Sequence, residues 1–234
     1  MDKALIGLSA IMLALSGAPP ASASAPTEVL PGSDSARAAP VQVPVHGKSA
    51  NDAAWAAIVP FASCTVHAHR SMVENVLTMP PLDKRSQSAL KSLADNDCLG
   101  AGEVDMPYTL MRGGLYAALY AADYNSAPAV ATMTPLDFTA DVGGAASLEA
   151  QEYLWLHQFA DCVVRADTPD SRALVLAGVG NPSENAIFTA LASHFNACMV
   201  KGQSLTFSKT VLTALIAEVL YRQTKVASVP KSGG

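Results

Sequence analysis

The sequence predicts an all-α protein: two tandem, sequence-related helical units of about four helices each, with one disulfide per unit. Three observations lead there. The second half of the chain repeats the first, the apolar residues recur at helical spacing, and the cysteines fall two to each half. Phe61, Ala62, Cys64, Val66 and Ala68 return in register as Phe159, Ala160, Cys162, Val164 and Ala166. Leu93-Ala94 returns as Leu191-Ala192, Cys98 as Cys198 after a two-residue insertion, and Leu119-Tyr120 as Leu220-Tyr221. A fixed period of roughly a hundred residues marks one structural unit used twice.

Residues 1–23 read as a secretory signal peptide. Lys3 precedes an uncharged, mostly apolar run from Ala4 to Ala18, and Ala21-Ser22-Ala23 supplies the small side chains that signal peptidase admits. Cleavage after Ala23 is preferred, because cutting after Ala25 leaves Pro26 at the next position. The apolar run is too short to span a bilayer stably, and no later segment is long and apolar enough to do so. The expectation is a mature protein that is soluble outside the cytoplasmic membrane, periplasmic or secreted. Residues 24–50, rich in Ala, Pro and Ser, read as a flexible tether with His46 as a solvated side chain.

Residues 51–123 form the first repeat and 147–225 the second. Their first helices are expected at about Asp52–His69 and Leu148–Arg165, with a kink or restart at Pro60. Short second helices follow: Ser71 with Glu74 forms a capping box, and Thr168-Pro169 supplies an N-cap with proline at N1. The run Ala173–Val179 has a strand as its alternative. Third helices start at Asp83 or Asn181 and end near the second cysteine, with Gly102 and Gly202 one turn beyond. Fourth helices run from Asp105 or Thr206 to about Asp123 or Arg222. Residues 124–146, rich in Ala, Pro, Thr and Gly, join the repeats, and 226–234 read as a disordered tail.

Four cysteines in an exported chain imply two disulfides. If each repeat folds as a unit, the pairs are Cys64–Cys98 and Cys162–Cys198; pairing across the repeats is the alternative. The formal net charge is −5 and removal of the signal leaves it unchanged, since Asp2 and Lys3 cancel. Basic residues are scattered without interleaved aromatics, which disfavours nucleic acid and anionic lipid as partners. Half of the residues are apolar and 15% are charged, a balance that suits a buried core.

Common catalytic signatures are absent. There is no Gly-x-Ser-x-Gly, no phosphate loop, no His-Glu-x-x-His and no Cys-x-x-Cys. Cys64, His67 and His69 are the best metal-ligand candidates, but the second repeat has Arg165 where His67 stands, and a disulfide removes the Cys64 thiolate. His157 lies one turn before Asp161, the minimum for general-base work, yet Val59 and Ser63 take these places in the first repeat. His194 reads as an exposed or partly packed side chain. Tyr120 and Tyr221 read as rings over the preceding helix with hydroxyls in water. Glu149, Glu152 and Glu184 suit the first turns of their helices. No catalytic residue, metal site or cofactor is implied.

The pattern Cys-Val-Val-Arg, Ser-Arg-Ala-Leu, Cys and Gly, then a closing helix ending Leu-Tyr-Arg (Cys162 to Arg222) resembles exported bacterial proteins of unassigned function that carry tandem disulfide-containing helical units. The first repeat departs from it, with Thr65 and His67 in place of Val163 and Arg165. The resemblance implies a fold and an address and no activity. The functional expectation is a non-enzymatic scaffold that binds a protein or a cell-envelope component. A carrier of a small apolar ligand in an inter-helix cavity, or an enzyme of unrecognised class, is the alternative.

Overall fold

The computed structural model describes residues 50–94, 97–99, 107–127, 130, 132–178, 181–200 and 208–228. The signal peptide, the tether up to residue 49 with His46, Gly102 and Gly202, the helix starts expected at Asp105 and Thr206, and residues 229–234 of the tail lie outside them. Among the described residues the protein is all-helical. The α-helices are α1 (Ala50–Thr78), α2 (Lys84–Leu93), α3 (Tyr108–Tyr124), α4 (Leu148–Ala166), α5 (Thr168–Ala177), α6 (Glu184–Cys198) and α7 (Lys209–Ser228). Two 3-10 turns, Asp97–Leu99 and Thr139–Val142, complete the order.

α1 keeps helical dihedrals through Pro60, so the helix does not restart there. The break comes at His69, the one residue of the helix with non-helical dihedrals (φ −132°, ψ 37°). It falls at the boundary expected between the first and second helices, so the two segments abut without a loop. Pro60 is tolerated because it faces solvent and so does Ala56, whose carbonyl loses its helical donor and can turn to water instead. In the second half the same boundary is a true break, with Asp167 between α4 and α5.

Helix starts follow local capping chemistry. Asp83 caps α2 by accepting from the Arg85 amide, and Ser147 caps α4 by accepting from the Ala150 amide. For α5 the cap is Asp167, one residue earlier than Thr168, and it accepts from the Asp170 amide. The Thr168 hydroxyl instead donates to the Val164 carbonyl, 2.8 Å away. The stretch from Ala173 is helical, through Ala177, so the strand alternative is not what forms. α6 begins three residues after Asn181, whose side chain holds the turn before it by accepting from the Ser183 amide.

Cys64 on α1 is bonded to Cys98, and Cys162 on α4 to Cys198 on α6, spans of 34 and 36 residues. Each disulfide therefore stays within its own half. Such bonds persist in an oxidising compartment. Among the described residues no helix is long and apolar enough to cross a membrane.

The centre of the fold is α7, which packs on α3, α4, α5 and α1. Every residue from Leu212 to Tyr221 is buried, as expected of a helix with neighbours on all sides. Glycine lets α3 lie close against it. A Cβ on Gly113 would stand 2.3 Å from the Ala214 Cβ and 2.6 Å from its Cα; one on Gly114 would stand 2.1 Å from Ile58 Cγ2 of α1. Two adjacent glycines thus admit α7 on one side of α3 and α1 on the other. The segment between the halves, expected as a linker, also enters the core, with Phe138 only 1% exposed. α7 likewise runs to Ser228, three residues into the stretch that composition assigns to the tail.

Candidate functional site

A cluster of buried charge lies where α3, α4 and α7 meet. Arg112 on α3 and Glu218 on α7 are each 3% exposed. Arg112 Nε donates to Glu218 Oε1 and Oε2 at 3.2 and 3.1 Å, and Nη2 donates to Oε1 at 3.1 Å. Nη2 also donates to the Leu77 carbonyl (3.0 Å) and the Tyr116 hydroxyl (3.1 Å), tying in the end of α1. Burial alone would raise the Glu218 pKa. The opposing charge of Arg112, then the neighbouring His157, outweighs burial and holds this carboxyl well below the usual range. Burial works against the charge on Arg112 as well, and Glu218 overcomes it.

His157 on α4 reaches the cluster from the other side. Its Nδ1 donates to the Tyr153 carbonyl at 2.8 Å, since a carbonyl only accepts. This aims Nε2 at Glu218 Oε2, 3.5 Å away, an ion-pair distance at the outer limit of hydrogen bonding. The Tyr153 ring stacks on the imidazole with centroids 3.8 Å apart. A second cation closes the circuit. Arg222 Nη1 donates to Asp141 Oδ2 at 2.5 Å and, more weakly, to Glu218 Oε1 at 3.4 Å; its guanidinium lies over the Phe138 ring. The Tyr153 hydroxyl donates to the same Asp141 oxygen at 3.0 Å. Asp141 belongs to the segment between the halves, which is therefore anchored by charge as well as by Phe138.

A pocket of about 330 Å3 opens beside this cluster, between the end of α1, α3 and α7. Arg112, Tyr116, Tyr221, Arg222 and Lys225 line it, together with Glu74 and Asp141. At its edge Arg70 grips Asp123 through both terminal nitrogens (2.8 Å each) and Glu74 through Nε (2.9 Å). Arg70, followed by the Tyr221 hydroxyl, lowers the Asp123 pKa against the effect of partial burial.

The sequence-derived candidates are dispersed. Cys64 is oxidised, His67 is exposed, and His69 marks the break in α1. Among the described residues no group of three or more His, Cys, Asp or Glu could hold a metal ion. His157 and Asp161 are buried, at 3% and 2% exposure, and are not the surface pair that their spacing suggests. They take separate partners. Asp161 accepts from Arg165 Nε at 2.8 Å and Gln223 Nε2 at 2.5 Å, and no hydroxyl or thiol is among the partners of His157. His194 is half-buried, 3.5 Å from Asp167. Tyr221 does not leave its hydroxyl to water: it donates to Asp123 at 3.2 Å. Glu184 lies in the first turn of α6 and pairs with Lys209 at 3.1 Å.

Sequence reasoning missed Arg112, Glu218, Asp141 and Arg222. A signal for the first two exists. Each is a lone charge inside an otherwise apolar helical run, opposite in sign, and a charge in such a run is buried only with a partner. Asp141 carries no such signal, because nothing in a loop sequence says which helix it lies against.

Comparison of the chain with protein-family models, with curated proteins and with solved structures finds no match.

Proposed function

We propose that the chain is an exported, non-enzymatic helical repeat protein, periplasmic or secreted, that binds another protein or a cell-envelope component. One observation carries the reading. The ionisable groups of the cluster pair with one another: buried Arg112 with buried Glu218, half-buried Arg222 with half-buried Asp141, and half-buried Arg165 with buried Asp161. Among the described residues no hydroxyl or thiol is a partner of the buried histidine, the pairing that acyl transfer needs. Two disulfides and the leader-like first 23 residues support the address.

Origin by duplication is part of this proposal. Trp55 and Tyr153 begin matching helices, and the matched pairs Phe61 and Phe159, Leu90 and Phe188, and Leu93 and Leu191 are all buried. In the register that equates Leu119-Tyr120 with Leu220-Tyr221, Gly113 equates with Ala214. These two residues meet at the closest approach of α3 and α7. Like residues meeting like is what a pairing about a two-fold axis produces.

The second reading, a carrier of a small apolar ligand, has one observation in its favour. A pocket of about 150 Å3 lies between α1, α3 and α5, lined by Trp55, Val59, Ala118 and Leu174 among others. Its size suits something no larger than a single ring.

Site-directed photocrosslinking in the native host tests the proposal. A benzophenone side chain at exposed Thr78, beside the larger pocket, is expected to yield one discrete adduct that a probe at exposed Glu149 does not. Turnover of any substrate that Arg112→Met or His157→Gln abolishes, while the fold survives, would overturn it.

A further inference from the structure

The smaller cavity, between α1, α3 and α5, owes its space to short side chains. Gly114, Ala117, Ala118 and Ala121 of α3 line it, and none extends beyond a methyl. A gap of about 150 Å3 is left between Val59 of α1 and Val175 of α5. Burial grades the lining from floor to mouth. Trp55, Leu174 and Thr213 are at most 5% exposed and form the floor. Val59, Ala118 and Val175 are half-buried walls that keep accessible apolar surface. Of the described lining residues only Ser63 and Ala121 are exposed, so they frame a narrow mouth. The polar groups farther in are engaged. The Thr213 hydroxyl donates to the Lys209 carbonyl at 2.9 Å, and Glu184 pairs with the Lys209 ammonium at 3.1 Å.

We propose that this cavity is a ligand site and that it takes a free, uncharged molecule built on one apolar ring. Size and wall chemistry both select that class. A volume of about 150 Å3 accommodates a benzene-sized body, and an apolar cavity left empty forfeits the dispersion contacts of its walls. With Glu184 already paired, a charged group drawn inside would lose its hydration without compensation. The ring slots between Val59 and Val175 and rests on Ala118. A recessed floor behind a narrow mouth suits a free molecule better than a partner's side chain, whose backbone would have to lie between Ser63 and Ala121. The inference rests on the reading of the chain as a carrier, deepens it by naming the ligand class, and does not depend on a protein partner at Thr78.

The test is an NMR titration of the full mature chain with three probes. Toluene is the apolar ring, pyrimidine a ring of similar size that water solvates well, and N-acetylphenylalaninamide a ring carried on a backbone. The expected result is saturable toluene binding with a Kd of about 1 mM or tighter. Nuclear Overhauser contacts should run from the toluene ring to the methyls of Val59, Ala118 and Val175. Pyrimidine and the amide should bind about tenfold more weakly or not at all. Ala118→Leu fills the space from within and Ser63→Trp covers the mouth, so each should abolish toluene binding. Ser63 is exposed, so thermal unfolding of Ser63→Trp should match the parent, and this variant decides the matter if Ala118→Leu packs poorly. Pyrimidine or the amide binding as tightly as toluene, or toluene binding indifferent to Ser63→Trp, would overturn the proposal. Toluene contacts confined to other methyls would overturn this site and leave the carrier reading standing. No binding of any probe would overturn both.

Discussion

Arg112 and Glu218 form a buried pair in which each charge depends on the other. Each is costly to bury alone, and each is kept charged by the other. Truncating one partner, as in Arg112→Met, is expected to cost about 3–5 kcal/mol, because it strands Glu218 in the interior. The double variant Arg112→Met with Glu218→Leu should recover much of that loss, as urea denaturation of the four proteins would measure. Loss equal to the sum of the singles would contradict the account. The same pair sets an acid limit. The folded pKa of Glu218 lies below its ordinary value, so its stabilisation is fully present above about pH 4.3 and drains away as pH falls toward the folded value. Glu218→Gln should therefore flatten the acid limb of the stability curve in that window. At this scale the sequence was legible for apolar positions, since Phe61, Leu93, Phe159 and Leu191 are all core residues. For charge it was legible only in part: Arg112 and Glu218 each stand alone in an apolar run, but nothing local says that they meet across 106 residues.

Among the elements, α3 is the most constrained. Gly113 faces the backbone of Ala214, with its Cα at 2.6 Å and its oxygen at 2.8 Å from an added Cβ, whereas Gly114 faces one methyl of Ile58. Alanine normally improves a helix by about 1 kcal/mol over glycine. Here Gly113→Ala should instead destabilise by about 1–3 kcal/mol, because whole helices must separate. Gly114→Ala should be milder, and Ile58→Ala should relieve it in a double-mutant cycle. Melting temperatures of the set decide the matter. Element boundaries were read best where a cap is written locally, as at Asp83. They were read worst where tertiary context decides. Pro60 looks like a break in one dimension and is harmless on a solvent-facing turn, while the real break at His69 has no proline or glycine to announce it.

For the whole molecule, one disulfide braces each half, and the central helix α7 packs against helices of both. Cys64–Cys98 and Cys162–Cys198 close loops of nearly equal length. Replacing either pair by serine is expected to cost about 2–5 kcal/mol in denaturant unfolding, with similar penalties for the two. The joining segment, expected as a linker between the repeats, is also anchored: Phe138 and Asp141 bind it to α4 and α7 through aromatic and charged contacts. Such contacts are decided by what the segment crosses, which no window of sequence contains. The central claim, an exported protein locked by one disulfide within each half, is tested most directly by mass mapping of the chain recovered from its own host, with and without reduction. The account predicts a mature start at Ser24 and the linkages Cys64–Cys98 and Cys162–Cys198. An uncleaved leader, free thiols or a bond between the halves would contradict it.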